Sequence, residues 1–115
     1  RTEMVVDSYD FGQIVIDGKP YSHDVIIAEH RVLSWWRRQG HLVQLEDLEG
    51  VFQQRPNMIV IGSGYSGMMK VPEKVSEAIK ARGIDLLVER TGEAVKKYNE
   101  LSKSGKVVAA LHLTC

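Results

Sequence analysis

The chain contains one cysteine, three prolines and two phenylalanines, and it has no excess of either charge, with fifteen Lys and Arg against fifteen Asp and Glu over 115 residues. Each shortage excludes something. A lone thiol at Cys115 has no partner for an internal disulfide, so the chain reads as one suited to a reducing compartment. The cytoplasm is expected, or the mitochondrion if a leader was removed ahead of Arg1. Zero net charge offers no field to gather nucleic acid or an anionic membrane, which argues against general polyanion binding. The longest apolar runs, Val107–Leu111 among them, fall far short of the roughly eighteen residues that a spanning helix needs. Glu3 and Asp7 lie where a secretory signal would carry its apolar core, so none is expected.

With 43% hydrophobic residues the chain can build a core, and its length fits a single α/β domain over residues 1–115. The first third reads as short β structure. Gln13–Ile16 runs into Asp17-Gly18, a pair suited to the positive φ angles of a tight hairpin turn. Pro20 belongs on a sheet edge, and Val25–Ala28 and Val32–Trp36 supply further strands. Leu45, Leu48, Val51 and Phe52 recur at helical spacing, with Glu46, Asp47 and Glu49 in the first turn.

The second half is more regular. Met58–Ile61 and Ile84–Val88 read as strands covered on both faces, and Val107–Leu113 as the last strand. Between them, Pro72 and Gly83 bracket one helix with an apolar stripe at Val75, Ala78 and Ile79. Thr91 is placed to cap a second, with Ala94, Val95, Tyr98 and Leu101 facing inward and Gly105 closing it. This β-α-β-α-β run implies parallel pairing with crossover helices.

Gly62-Ser63-Gly64-Tyr65-Ser66-Gly67 matches the glycine spacing of a dinucleotide turn, with Glu89, Arg90 and Thr91 at the end of the next strand. That fingerprint needs a helix starting inside the glycines, whereas Met68–Val71 and Pro72 delay it. No cofactor is therefore expected, and the loop reads as a tight turn. Ser66 lacks the second glycine of a nucleophile elbow, and Met68-Met69 replaces the Lys-Ser/Thr of a phosphate loop.

In His112-Leu113-Thr114-Cys115 a continuing strand would point His112 and Cys115 to opposite faces, and a terminal carboxylate beside Cys115 would disfavour its thiolate. Neither a metal nor a reactive thiol is expected there. His23, His30 and His41 lack the close spacing of a zinc pair. Trp35-Trp36-Arg37-Arg38 suits either base stacking on nucleic acid, the less favoured reading, or an interface anchor, with one ring inward and one outward, whereas Lys96, Lys97 and Lys103 read as a solvated face.

Taken together, Trp36, Gly40-His41, Ile61-Gly62-Ser63-Gly64, Thr91 with Ala94-Val95, Tyr98-Asn99 with Leu101, and the closing His112-x-Thr114-Cys115 are distinctive. The combination resembles a family of small domains first described structurally in a methanogen, which includes the mammalian adipogenesis-associated domain protein. The mitochondrial assembly factor for respiratory complex I is a more distant relative. The resemblance implies a three-layer α/β domain around a central mixed sheet that contains the β-α-β-α-β run, plus extra N-terminal β structure. It implies no established catalysis, and action through assembly or regulatory protein partners.

The expected function is therefore a non-catalytic interaction, assembly or regulatory module. The alternative is a small-molecule or nucleotide-binding protein or enzyme using the loop at 62–67. Candidate site residues are Trp36, His41, Gly62, Ser63, Gly64, Tyr65, Ser66, Glu89, Arg90, Thr91 and His112. Convergence of His41, the glycine loop and His112 on one concave pocket would favour a ligand.

Overall fold

Two sheets form from the apolar runs, as seen in a computed structural model that describes residues 3–115. β1 (Val6–Asp10), β2 (Gln13–Ile16) and β3 (Lys19–Tyr21) pair antiparallel in sequence order. Asp17 and Gly18, at φ 48° and 80°, make the two-residue turn between β2 and β3, and Pro20 lies on the edge strand as expected.

The main sheet runs β5 (Val32–Ser34), β4 (Val25–Ile27), β8 (Val107–His112), β6 (Met58–Ser63), β7 (Asp85–Glu89) across its width. β6 is parallel to both β7 and β8, while β4 is antiparallel to both β8 and β5, so the sheet is mixed. α2 (Glu73–Ala81) links β6 to its neighbour β7, and α3 (Thr91–Leu101) carries the chain back past β6 to β8.

Alternation along the central strands separates two cores. Ile26, Ile59, Ile61, Val108 and Ala110 pack with Trp35, Val43, Leu48, Val51 and the Val75/Ile79 stripe of α2. Val25, Ile27, Val60, Ala109 and Leu111 pack with Ala94, Val95 and Tyr98 of α3 and with Val6, Ile14 and Ile16 of the small sheet. Each such side chain contributes on the order of 1.5–3 kcal/mol through burial, which is what holds the three layers together. Tyr98 and Asn99 fasten the small sheet to α3: the Tyr98 hydroxyl donates to Met4 O at 2.9 Å, and Asn99 brackets the Val6 backbone at 2.8 and 2.9 Å.

Several local expectations are corrected. β7 is an edge strand, with Val88 39% exposed, because its outer neighbour is solvent rather than another strand. The segment at 45–52 is a 3₁₀ turn, Leu45–Leu48, followed by the one-turn α1 (Glu49–Phe52). There the Asp47 carboxylate accepts from the Gln44 and Arg38 N–H groups and tightens the entry. β5 stops at Ser34, short of the tryptophans. Even so, Trp35 is buried with its indole N–H on Asp47 O at 2.9 Å, and Trp36 is 85% exposed.

Candidate functional site

The parallel strands β6 and β8 end side by side, with Ser63 opposite His112. From β6 the chain goes on to β7 on one side, whereas β8 flanks it on the other. Loops at such a switch point diverge and leave a crevice where α/β domains commonly place a site.

Here the crevice is filled by the chain itself. The Tyr65 N–H donates to Thr114 O at 3.2 Å, the Met68 N–H to Cys115 O at 3.3 Å and the Gly64 N–H to the Thr91 hydroxyl at 2.9 Å. The Gly67 and Met69 N–H groups close on Gly64 O and Ser63 O. The amides that a phosphate would need are thus occupied. A Cβ on Gly64, at φ 106°, would sit 2.5 Å from Thr114 O, and one on Gly62 would sit 2.7 Å from Thr91 Oγ1. Both glycines permit this close crossing of chains.

The other candidate residues divide by what they touch. Thr91 does not cap α3, whose N-cap is Arg90; its hydroxyl instead donates to His112 O at 2.6 Å. The Ser63 hydroxyl donates to Glu89 O at 3.1 Å, so Glu89 is engaged there through its backbone, while Ser66 and Arg90 are exposed. Tyr65 packs edge-on against Phe11, ring centroids 5.7 Å apart, with Tyr9 at 6.3 Å. The Tyr9 hydroxyl donates to Leu113 O at 2.7 Å, and burial pushes its phenol up to about 12.

A polar cluster closes the end of β8. The Asp24 carboxylate accepts from Arg37 Nη2 and from the Leu113 N–H, each at 2.8 Å, and His112 Nδ1 lies 2.8 Å from Asp24 Oδ2 and 3.0 Å from Arg37 Nη2. Burial alone would raise the Asp24 carboxyl. The contacts with His112, the Leu113 N–H and Arg37 outweigh burial and hold it below the usual carboxylate range. The Arg37 side chain is 5% exposed and lies over the Trp35 ring at 4.6 Å. Arg37 Nε, Arg37 Nη1 and His112 Nε2 are buried with no hydrogen-bond partner among the described residues.

His41 reaches the same place from another segment. Its carbonyl accepts from the Lys70 N–H at 2.8 Å, and Lys70 O accepts from the Val43 N–H at 2.9 Å, which pins His41 beside the end of the glycine loop. Its Nε2 lies 3.1 Å from Cys115 Sγ, and its ring is tilted 68° to that of His112 at 6.1 Å. The chain leaves the strand after His112, and Cys115 adopts φ 50°. The expected divergence of His112 and Cys115 is therefore corrected: one ligand atom each from His41, His112 and Cys115 lie within 4.8 Å of one another. Convergence occurs on the scale of an ion.

One groove borders this cluster and another lies apart from it. One of about 390 Å³ is lined by His23, Asp24, Ser34, Trp35, Trp36 and Arg37. A larger one of about 560 Å³ lies between the 3₁₀ turn and the start of α2 and holds none of the candidate residues.

Asp24, Arg37 and Cys115 complete the cluster although none was among the candidates. Asp24 abuts the fully buried Val25–Ile27, which is a local signal, but nothing local names its partner. Among the described residues no helix is long and apolar enough to cross a membrane.

Comparison with known proteins identifies the group. Residues 6–112 match the family described as "Protein of unknown function (DUF498/DUF598)", and the chain belongs to that family. It is 27% identical over 110 residues to human NADH dehydrogenase (ubiquinone) 1 alpha subcomplex assembly factor 3, covering 93% of this chain and 59% of that protein. The chain thus spans about three-fifths of the length of that relative. The solved structure of the protein MT938 is 28% identical with a TM-score of 0.81, covering 98% of this chain and all of that one (100%). A conserved hypothetical protein of Pyrococcus horikoshii shares the fold at 24% identity and a TM-score of 0.88, with 96% and 98% of the two chains covered. A Mth938-like domain of Bordetella pertussis does so at 19% and 0.72, covering 95% and 85%. The family expected from the glycine-loop and C-terminal motifs is the one found.

Proposed function

We propose that this domain is a non-catalytic assembly or regulatory module that binds a protein partner through the surface centred on Trp36. The observation that carries the reading is the exposure of that ring, 85%, directly after the buried and hydrogen-bonded Trp35. Trp35 fixes the backbone, so Trp36 is presented from a rigid base, and tryptophan is enriched among residues that dominate binding energy. Trp36 borders the groove of about 390 Å³. Phe11, Tyr65 and Met68 are 58%, 53% and 55% exposed, and Tyr65 packs against Phe11.

The assembly-factor relative supports a role of the same kind. The nucleotide-binding alternative is weakened because the loop amides are engaged by Thr91, Thr114 and Cys115. A reducing compartment, cytoplasmic or mitochondrial, suits the reading.

Photo-crosslinking tests it, with benzoylphenylalanine at position 36 of the full chain and, as control, at Lys97 on α3. One defined protein should couple at 36 and not at 97. Trp36→Ala should weaken its co-purification by about 30-fold, the size of a binding hot spot, with thermal stability unchanged. Equal coupling at both positions, or none, would refute the reading.

A further inference from the structure

We infer that His41, His112 and Cys115 form a binding site for a transition-metal ion, and that zinc is the ion their donor set fits best. The three residues come from separate segments, the loop ahead of the 3₁₀ turn, the end of β8 and the turn beyond it. Yet one ligand atom from each lies within 4.8 Å of the others. In a tetrahedral zinc site, with metal–nitrogen and metal–sulfur distances of about 2.0 and 2.3 Å, neighbouring donors stand about 3.3–3.6 Å apart. The His41 Nε2 to Cys115 Sγ separation, 3.1 Å, is already near that value. The remaining separations, within 4.8 Å, exceed the tetrahedral spacing by no more than about 1.5 Å.

His112 provides an independent reason. Its side chain is only 7% exposed, and its Nε2 is buried without a hydrogen-bond partner among the described residues. Its Nδ1 faces Asp24 Oδ2 at 2.8 Å. That carboxylate also holds the Leu113 N–H and the Arg37 guanidinium. Nδ1 also stands 3.0 Å from Arg37 Nη2, so this nitrogen is taken up by the Asp24–Arg37 pair. Nε2 is thus the nitrogen free for an ion, and a metal there would select the tautomer that places the proton on Nδ1, donating to Asp24. A carboxylate on the far nitrogen is the usual device that fixes the tautomer and orientation of such a ligand.

The surroundings suit a soft or borderline cation. No carboxylate is among the three donors, which disfavours calcium and magnesium, while imidazole with thiolate favours zinc. Arg37 would repel a cation, but Asp24 neutralises it at 2.8 Å. A His41–Cys115 pair acting as a nucleophile would not use the lone pair of His112; a metal uses all three. On binding, one metal–sulfur and two metal–nitrogen bonds form, the Cys115 thiol proton leaves to solvent, and water completes the fourth position beside exposed His41.

Cobalt(II) titration of the reduced full chain tests the site, followed by displacement with zinc. One equivalent should give a thiolate-to-cobalt charge-transfer band and the intense visible bands of a tetrahedral ion, both lost on adding zinc. Cys115→Ser should abolish the charge-transfer band. His41→Ala and His112→Gln should each weaken binding at least about 10-fold, and Asp24→Asn by about 10–100-fold with the band retained at saturation. Since His41 is exposed, its variant stays informative even if the buried variants fail to fold. Absence of the band at one equivalent, or a band of undiminished affinity in His41→Ala, would overturn the proposal. Crosslinking at position 36 reports on the partner surface separately.

Discussion

The Thr91 hydroxyl donates to the carbonyl of His112 at 2.6 Å while accepting the Gly64 N–H at 2.9 Å, so one side chain at the start of α3 ties the end of β8 to the loop after β6. Thr91 is fully buried, and no water can replace either bond without a local opening. Thr91→Val keeps the shape and strands a buried donor and a buried acceptor. At about 1–3 kcal/mol for each unsatisfied group, the variant should lose about 2–4 kcal/mol in urea unfolding, and Thr91→Ser should recover most of it. A loss under about 0.5 kcal/mol, the range of a neutral surface change, would show that the hydroxyl holds nothing.

Gly64 is the position where the backbone tolerates no side chain. Its φ of 106°, and the mere 2.5 Å that would separate an added Cβ from Thr114 O, predict a penalty for Gly64→Ala. Strain alone accounts for about 1–3 kcal/mol, and the clash adds to it. The same crossing occupies the loop amides, so NAD, FAD and ATP should bind no tighter than about 10 micromolar, near −7 kcal/mol. Calorimetry showing tighter binding that Gly64→Ala abolishes would restore the nucleotide reading.

Removing Asp24 leaves the Arg37 guanidinium, 5% exposed, without its counter-ion. Breaking a buried pair in this way typically costs about 3–5 kcal/mol, and Asp24→Ala should lower the urea midpoint accordingly. Replacing both partners, as Asp24→Leu with Arg37→Met, should cost less than Asp24→Ala alone. The pH dependence has a definite sign. Because the folded-state pKa of Asp24 is depressed, its stabilisation is present above the ordinary carboxylate range and is lost as pH falls through the folded value. Stability should therefore decline below about pH 4, and Asp24→Asn should flatten that decline.

Tyr9 contributes to stability on the alkaline side. Its phenol, raised by burial to about 12 from 10.0, stays protonated in the fold where the unfolded chain ionises. Its stabilising effect is complete below the unfolded value and is lost as pH rises from about 10 through the folded value. Tyr9→Phe should remove a step delayed beyond the ordinary phenol range from a tyrosinate absorbance titration and flatten the alkaline loss of stability. A wild-type profile unchanged by the substitution would refute the assignment.

What was legible in the sequence is what short-range physics dictates. Asp17-Gly18 announces a tight turn because few residue pairs accept two positive φ angles, and Gly83 ends α2 for the same reason at φ 77°. The order of β6, α2, β7, α3 and β8 follows from apolar periodicity between such breakers, and the contrast of Trp35 with Trp36 from side-chain alternation in extended chain.

The site was decided elsewhere. His41 meets Cys115 across 74 positions and Asp24 meets His112 across 88, separations that no local pattern encodes. Extending β8 through Cys115 sends His112 and Cys115 apart. The strand instead ends at His112, and the chain bends at Cys115, φ 50°, toward His41. Likewise Thr91, fit by composition for a cap, meets a stronger demand once β6 and β8 end side by side beneath it. Sequence determined the elements because propensity and periodicity act between near neighbours. Tertiary structure decided the cluster because hydrogen bonding and ligation depend on which strand ends the sheet order makes adjacent.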